Sequence, residues 1–172
     1  MRVSKIGIVC LLVLTGLFSC KKEIIQQVVY DNIIYQVDTV AIYENALEKD
    51  RLKTPLQFIS SVYSNLYFSS IPSNILDNLV LYRQSIGDKG LVNEMIINAM
   101  LEDPLVLINI PDDVAMRSDV SEFITTTYLR FYLRYPTEYE AYGLRELIES
   151  DTEMSAVDVY RAFLLSNEYQ FY

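Results

Sequence analysis

The sequence predicts an all-α domain preceded by an extended arm, on three observations. From residue 54 onward, apolar residues recur at three- and four-residue spacings, the period of one helical face rather than of a strand. Helix-start signatures precede those runs at Thr54-Pro55-Leu56-Gln57, at Asp119 with Glu122, and at Thr137 with Glu140. In each, a hydroxyl or carboxylate can accept from a free backbone N–H, and a side chain three residues on can reach back. Ten residues beginning at Phe58 also align without a gap on ten beginning at Phe123, with four identities and two Ser-to-Thr replacements.

The arm comes first. Residues 24 to 43 are rich in Ile, Val and Tyr, with apolar doublets on both sides of the turn-prone pair Asp31-Asn32, which predicts an extended segment or hairpin. It is too apolar for a solvated tether, so it packs either on its own domain or against a partner at the membrane. Thr54 then caps a first helix with Pro55 at its first position and Ile59, Val62, Tyr63 and Leu66 on one face, as its spacing requires. Pro72-Ser73 opens a second, with Ile75, Leu76, Leu79, Val80 and Ile86 inward and a stop near Gly87. A third follows Gly90, its stripe being Val92, Met95, Ile96, Ala99 and Met100.

Pro104 and Pro111 bracket the apolar run Leu105 to Ile110, so residues 102 to 117 read as an irregular connector. Asp119 starts a fourth helix, with Val120, Ile124, Thr127, Tyr128 and Phe131 on one side. Thr137 starts a fifth, where Tyr139, Gly143 and Leu147 lie beside Leu144 and Ile148. Ser155 caps a sixth, with Ala156, Val159, Tyr160, Phe163 and Leu164 apolar. The internal alignment divides these into two three-helix units, about 58–101 and 123–167. Two units are few for an open solenoid, so one six-helix bundle with a shared core is expected.

The N-terminus carries a different signal. Arg2 and Lys5 precede a 13-residue apolar stretch from Ile6 to Phe18; a helix that crosses a membrane needs about 20 residues, so this length fits a secretory leader. The stretch ends Leu17-Phe18-Ser19-Cys20, which resembles the lipobox of bacterial lipoproteins. The other reading is an ordinary leader with a coincidental Cys. The resemblance implies cleavage after Ser19, a diacylglyceryl thioether and further fatty acylation on Cys20, and stable anchoring, because two or three chains hold where one does not. Residue 21 is Lys rather than Asp, so the resemblance implies an outer-membrane destination, and Lys21-Lys22-Glu23 resembles signals that send some lipoproteins to the cell surface. Three segments follow: a leader over 1–19, an anchor and arm over 20–53, and a helical domain over 54–172.

Composition excludes much chemistry. The 172-residue chain has no His and no Trp, so it has no imidazole base and no nucleophile–His pair. Of its two Cys, Cys10 leaves with the leader and Cys20 takes the lipid, so no disulfide or thiolate ligand remains. Losing Arg2 and Lys5 takes the formal charge from −9 to −11, which opposes electrostatic binding to nucleic acid.

Asp112, Asp113, Asp119 and Glu122 offer hard oxygen atoms for Ca²⁺ but lack the alternating spacing and central Gly of an EF-hand loop; helix N-terminal charges are the simpler reading. Nothing marks two carboxylates as facing each other across a cleft. No metal or cofactor site is expected. Tyr63, Tyr67, Tyr128, Tyr132, Tyr139 and Tyr160 fall among apolar residues, as core rings with hydroxyls at the rim. Arg130 and Arg134, one turn apart, are expected to pair with carboxylates. Partner-binding candidates are Ile33, Ile34 and Tyr35 in the arm and the aromatic tail Tyr169, Phe171 and Tyr172, since exposed aromatics anchor interfaces.

The second unit also reads Tyr128-Leu129-Arg130, then Leu133-Arg134-Tyr135-Pro136-Thr137, Glu140, and finally Ser166-Asn167-Glu168-Tyr169. That order resembles small helical modules of bacterial secreted and surface proteins and is loosely similar to phycobilisome-linker repeats. The usual central Gly and Trp are replaced here by Tyr142-Gly143-Leu144. The resemblance implies a scaffold or interaction module and transfers no catalytic residue. The expected function is therefore a non-catalytic accessory subunit of an outer-membrane complex for secretion, assembly or nutrient import. The alternative is a surface lipoprotein holding a glycan or peptide in a Tyr-lined groove.

Overall fold

Thr54 opens the first helix as its neighbours dictate. The Gln57 N–H donates to the Thr54 hydroxyl at 3.3 Å, the Thr54 N–H donates back to Gln57 Oε1 at 3.0 Å, and Pro55 sits at the first helical position. A computed structural model describes residues 42–171. Cys20, Ile33, Ile34, Tyr35, the Asp31-Asn32 turn and Tyr172 lie outside them.

Among the described residues all six expected helices are present: α1 Pro55–Tyr67, α2 Ser73–Ser85, α3 Lys89–Leu101, α6 Val120–Tyr132, α7 Glu138–Ser150 and α8 Ala156–Leu165. Two short ones, α4 Pro104–Leu107 and α5 Asp113–Ser118, replace the irregular connector. Their starts explain them. Asp103 accepts from the Leu105 N–H at 2.9 Å with Pro104 next to it, and Asp112 accepts from the Ala115 N–H at 2.7 Å. Asp119 caps α6 in the same way, and Asp113 accepts the Ala156 N–H at 2.8 Å. Each acidic group weighed for Ca²⁺ in this loop is thus at a helix start, and among the described residues no group of carboxylates is placed to hold a metal ion.

The internal duplication is visible in the helices. α1 and α6 have 13 residues each, as do α2 and α7, and both first helices end on a left-handed residue, Phe68 at φ 52° and Leu133 at φ 54°. α1 packs on α2 and α3, and α6 packs on α7; the two units join where α3 lies against α8. Phe58, Ile59 and Leu66 of the first unit and Phe123, Ile124 and Phe131 of the second belong to a single buried cluster. One shared core, rather than two stacked ones, holds the domain.

Three apolar stripes sit differently from expectation. α3 is wedged between α1 and α8, so it buries Asn93, Ile97 and Leu101 as well as Val92, Ile96 and Met100, while Met95 and Ala99 are exposed. Buried Asn93 is satisfied by the Arg83 Nε–H at 2.7 Å. α2 has no fully buried residue; Leu76, Leu79, Val80 and Ile86 lean on the core half-buried and Ile75 stays exposed. On α7 only Ile148 is buried, and Tyr139 is 86% exposed, because this helix contacts the bundle along one edge.

Candidate functional site

Residues 42–53 cross the end of α6 and the C-terminal turn. The Tyr43 N–H donates to the Leu133 carbonyl and the Lys53 N–H to the Gln170 carbonyl, both at 2.8 Å. Below this crossing lies an ion cluster centred on Arg134, only 2% exposed. Its Nη1 and Nη2 donate to the two oxygens of Glu140 at 2.9 and 2.7 Å, and its Nε and Nη2 to those of Glu168 at 2.8 and 2.7 Å. Lys49 adds a third cationic contact, donating to Glu168 Oε1 at 2.9 Å.

Planar guanidinium donors match carboxylate geometry, and the effects show in the acids. Hydrogen bonds from Arg134 pull Glu140 down to about 2, against the cost of its burial. Burial raises Glu168, yet the bonds from Arg134 and Lys49 outweigh it and leave its carboxyl below the usual range. Arg134, Glu140 and Glu168, with Lys49, form one structural knot. Glu140 also completes the Thr137 capping box, so a single carboxylate starts α7 and pairs with Arg134.

Beside the knot opens a groove of about 330 Å³ of mixed character, with Leu56, Phe131, Leu133 and Phe171 among its lining. One wall is the crossing segment, with Tyr43, Lys49 and Lys53; another is the α1 stripe Gln57, Ser60, Ser61 and Ser64; the third is the end of α6, with Arg130 and Tyr132. Lys53 donates to the Tyr169 carbonyl at 2.7 Å and lies 4.0 Å over that ring. Burial, with the Lys49 charge adding to it, pushes the Lys53 ammonium down to about 8.

A second groove, of about 560 Å³, is apolar. It lies between α1, α2 and α3 and is lined by Tyr63, Tyr67, Leu79, Tyr82 and the exposed Ile75 and Met95. Tyr63 and Tyr67 stack at 4.1 Å. At its rim the Tyr67 hydroxyl donates to Asp103 Oδ2 at 2.7 Å. That bond, behind the Leu105 N–H in weight, holds the Asp103 carboxyl below its usual range, while burial and Asp103 together raise the Tyr67 hydroxyl.

Within the aromatic tail, Tyr169 is not the exposed anchor expected. Tyr169 is 1% exposed, its ring edge-on to Phe58 at 5.9 Å and its hydroxyl accepting from Asn65 Nδ2 at 3.0 Å. A 3-10 turn over Glu168–Gln170 folds it inward, because a ring this size gains more from the core than from water. Phe171 remains exposed and lines the groove beside the knot. Arg134 pairs with carboxylates as expected; Arg130 does not, and donates instead to the Asn65 and Asn109 carbonyls and the Tyr160 hydroxyl. Sequence reasoning missed the serine stripe of α1, whose i, i+3, i+4, i+7 spacing was the available signal.

No protein-family model, curated protein or solved structure compared with the chain matches it. Among the described residues no helix is long and apolar enough to cross a membrane.

Proposed function

We propose that this chain is an outer-membrane lipoprotein, held by lipid on Cys20, that serves without chemistry of its own as an interaction subunit of a cell-envelope complex for secretion, assembly or nutrient import. The residues Leu17-Phe18-Ser19-Cys20 support the anchor. The observation that carries the interaction role is the apolar groove. A cleft of about 560 Å³ floored by Leu79 and Ile96 and walled by three tyrosines offers what a partner's apolar segment needs, a desolvated pocket with a polar rim. Asp103 at that rim favours a segment with a basic residue beside its apolar anchors.

The test is co-purification. Full-length protein, mildly extracted from its native membrane, should migrate with a stoichiometric partner. Ile75→Glu, in the groove, should release that partner; Leu81→Glu, on an exposed part of the same helix, should not. Wild-type protein migrating alone would end this reading. Palmitate labelling abolished by Cys20→Ala checks the anchor separately.

The stacked Tyr63–Tyr67 pair favours one second reading, a glycan or peptide ligand bound in the same cleft, since tyrosine faces stack on flat ligands. Calorimetric binding of such a ligand, lost in Tyr82→Ala, would select it.

A further inference from the structure

The second helix of each repeat unit allows a comparison within one chain. α2 and α7 have 13 residues each, and each begins at the same distance after the first helix of its unit. Asn74 and Asp77 of α2 therefore correspond to Tyr139 and Tyr142 of α7, and Leu81 and Gln84 to Glu146 and Glu149. All of these positions are exposed. In the first unit the row folds with no aromatic ring and with Asp77 as its one acid. The second unit places two tyrosines there, 86% and 64% exposed, and follows them with two glutamates.

Spacings of three, four and three residues align Tyr139, Tyr142, Glu146 and Glu149 along one side of α7. The helix packs mainly on α6 and buries only Ile148, and a Cβ at Gly143, one turn beyond Tyr139, would meet nothing within 4 Å among the described residues. Neither Glu146 nor Glu149 enters an ion pair among those residues. Arg145, the one basic residue of α7, turns away and donates from Nη2 to Ser121 Oγ on α6 at 2.8 Å. Exposed tyrosines are enriched where proteins meet, and unpaired carboxylates in line with them match positive charge on a partner. Guanidinium answers both halves of the row. It is planar and weakly hydrated, so it stacks on ring faces, and its fork of donors fits a carboxylate.

We propose that the open face of α7 is a docking surface for an extended, arginine-bearing segment of a partner protein, with guanidinium groups on the Tyr139 and Tyr142 rings and paired with Glu146 and Glu149. The dimensions agree. From Tyr139 to Glu149 the helix rises about 15 Å, and three arginines at alternate positions of an extended chain span about 13 Å on one side of it. Gly143, without a side chain, leaves room beside Tyr139 for the segment's backbone. Neither the apolar groove between α1, α2 and α3 nor the lipid anchor takes part.

The experiment is fluorescence anisotropy of labelled Gly-Arg-Gly-Arg-Gly-Arg-Gly with the detergent-solubilised full chain at low ionic strength. The same peptide with lysines keeps the charge and loses the planar group; with glutamines it loses both. The arginine peptide should bind, the lysine peptide several-fold more weakly, and the glutamine peptide not at all. Tyr139→Asn with Tyr142→Asp installs the residues of the first unit, which this fold accommodates. That pair removes both rings while adding a negative charge, and should weaken the arginine peptide by about fivefold or more; attraction by charge alone would strengthen it instead. Glu146→Gln with Glu149→Gln should also weaken it. Ile75→Glu, aimed at the apolar groove, should leave the peptide bound, so the two surfaces fail separately. No binding of the arginine peptide, equal binding of the lysine peptide, undiminished affinity in the double tyrosine or the double glutamate variant, or loss of binding in Ile75→Glu would each overturn the proposal.

Discussion

Arg130 and Asn65 hold equivalent positions in the two repeat units, 65 residues apart, and they touch: the Arg130 Nε–H donates to the Asn65 carbonyl at 2.8 Å. The same guanidinium reaches the Asn109 carbonyl at 3.2 Å and lies 4.3 Å from the centre of the Phe68 ring. The arginine is particular to the second unit, whereas the acceptor is a main-chain carbonyl that the first unit supplies whatever its side chain. Arg130→Leu would leave carbonyls near the core unpaired. It should cost about 1–3 kcal/mol, read by chemical denaturation.

Arg134 tests the knot. Its guanidinium is buried against two carboxylates, and removing one partner from such a group leaves uncompensated charge. Arg134→Met should destabilise the domain by about 3–5 kcal/mol. The matched variant Arg134→Met with Glu168→Leu should recover part of that loss, since fewer charges remain stranded. A double-mutant cycle measures the coupling.

Acid should undo the same knot. Glu140 titrates near 2 in the folded protein against an ordinary value of 4.5, and Glu168 is lowered too. The unfolded chain takes up these protons first. Their contribution is therefore complete above about pH 4.5 and is lost as pH falls from there toward 2. Denaturation midpoints measured across that window should drop steeply in the wild type, and less steeply in Arg134→Met.

Alkali should act through the buried rings. Burial pushes Tyr132 up to about 12 and raises Tyr128 and Tyr160 as well. The unfolded chain loses these protons near pH 10. Stability should therefore decline as pH climbs from 10 to 12, and spectrophotometric titration should show late tyrosinate formation that becomes normal in denaturant.

The two left-handed helix ends should respond differently to glycine. Leu133 at φ 54° carries about 1–2 kcal/mol of strain, offset by about 0.4–1 kcal/mol of chain entropy in the unfolded variant. Leu133→Gly should be stabilising by about 0.5–1 kcal/mol. Phe68→Gly gives up the ring under Arg130, so it should gain less or lose. Thermal melts of the pair distinguish strain from stacking.

Most helix starts were legible because they are settled within four residues; α3 instead begins at Lys89, where Asp88 accepts from the Leu91 N–H, rather than after Gly90 as expected, and α2 begins after Pro72 with no side-chain cap. The boxes at Thr54, Thr137 and Ser155 are present in full, and no distant residue was needed to see them. The duplication was legible for a similar reason, since Phe58, Ile59, Tyr63 and Tyr67 align with Phe123, Ile124, Tyr128 and Tyr132 in both copies of the first helix. Short capped turns at Pro104 and Asp112 escaped notice because four to six residues give no period to read.

Sequence by itself determined the excess of acid, the lack of imidazole, the run Leu17-Phe18-Ser19-Cys20 that resembles a lipobox, and that six main helices form. Those features depend on residue identity or on neighbours a few positions away. Tertiary structure alone decided that Tyr169 turns inward, that Arg134 joins Glu140 to Glu168, and that Lys49, Ser61 and Arg130 meet in one groove. Each of these depends on segments far apart in the chain converging on one place. Burial and charge pairing are properties of that convergence, and no local spacing encodes it.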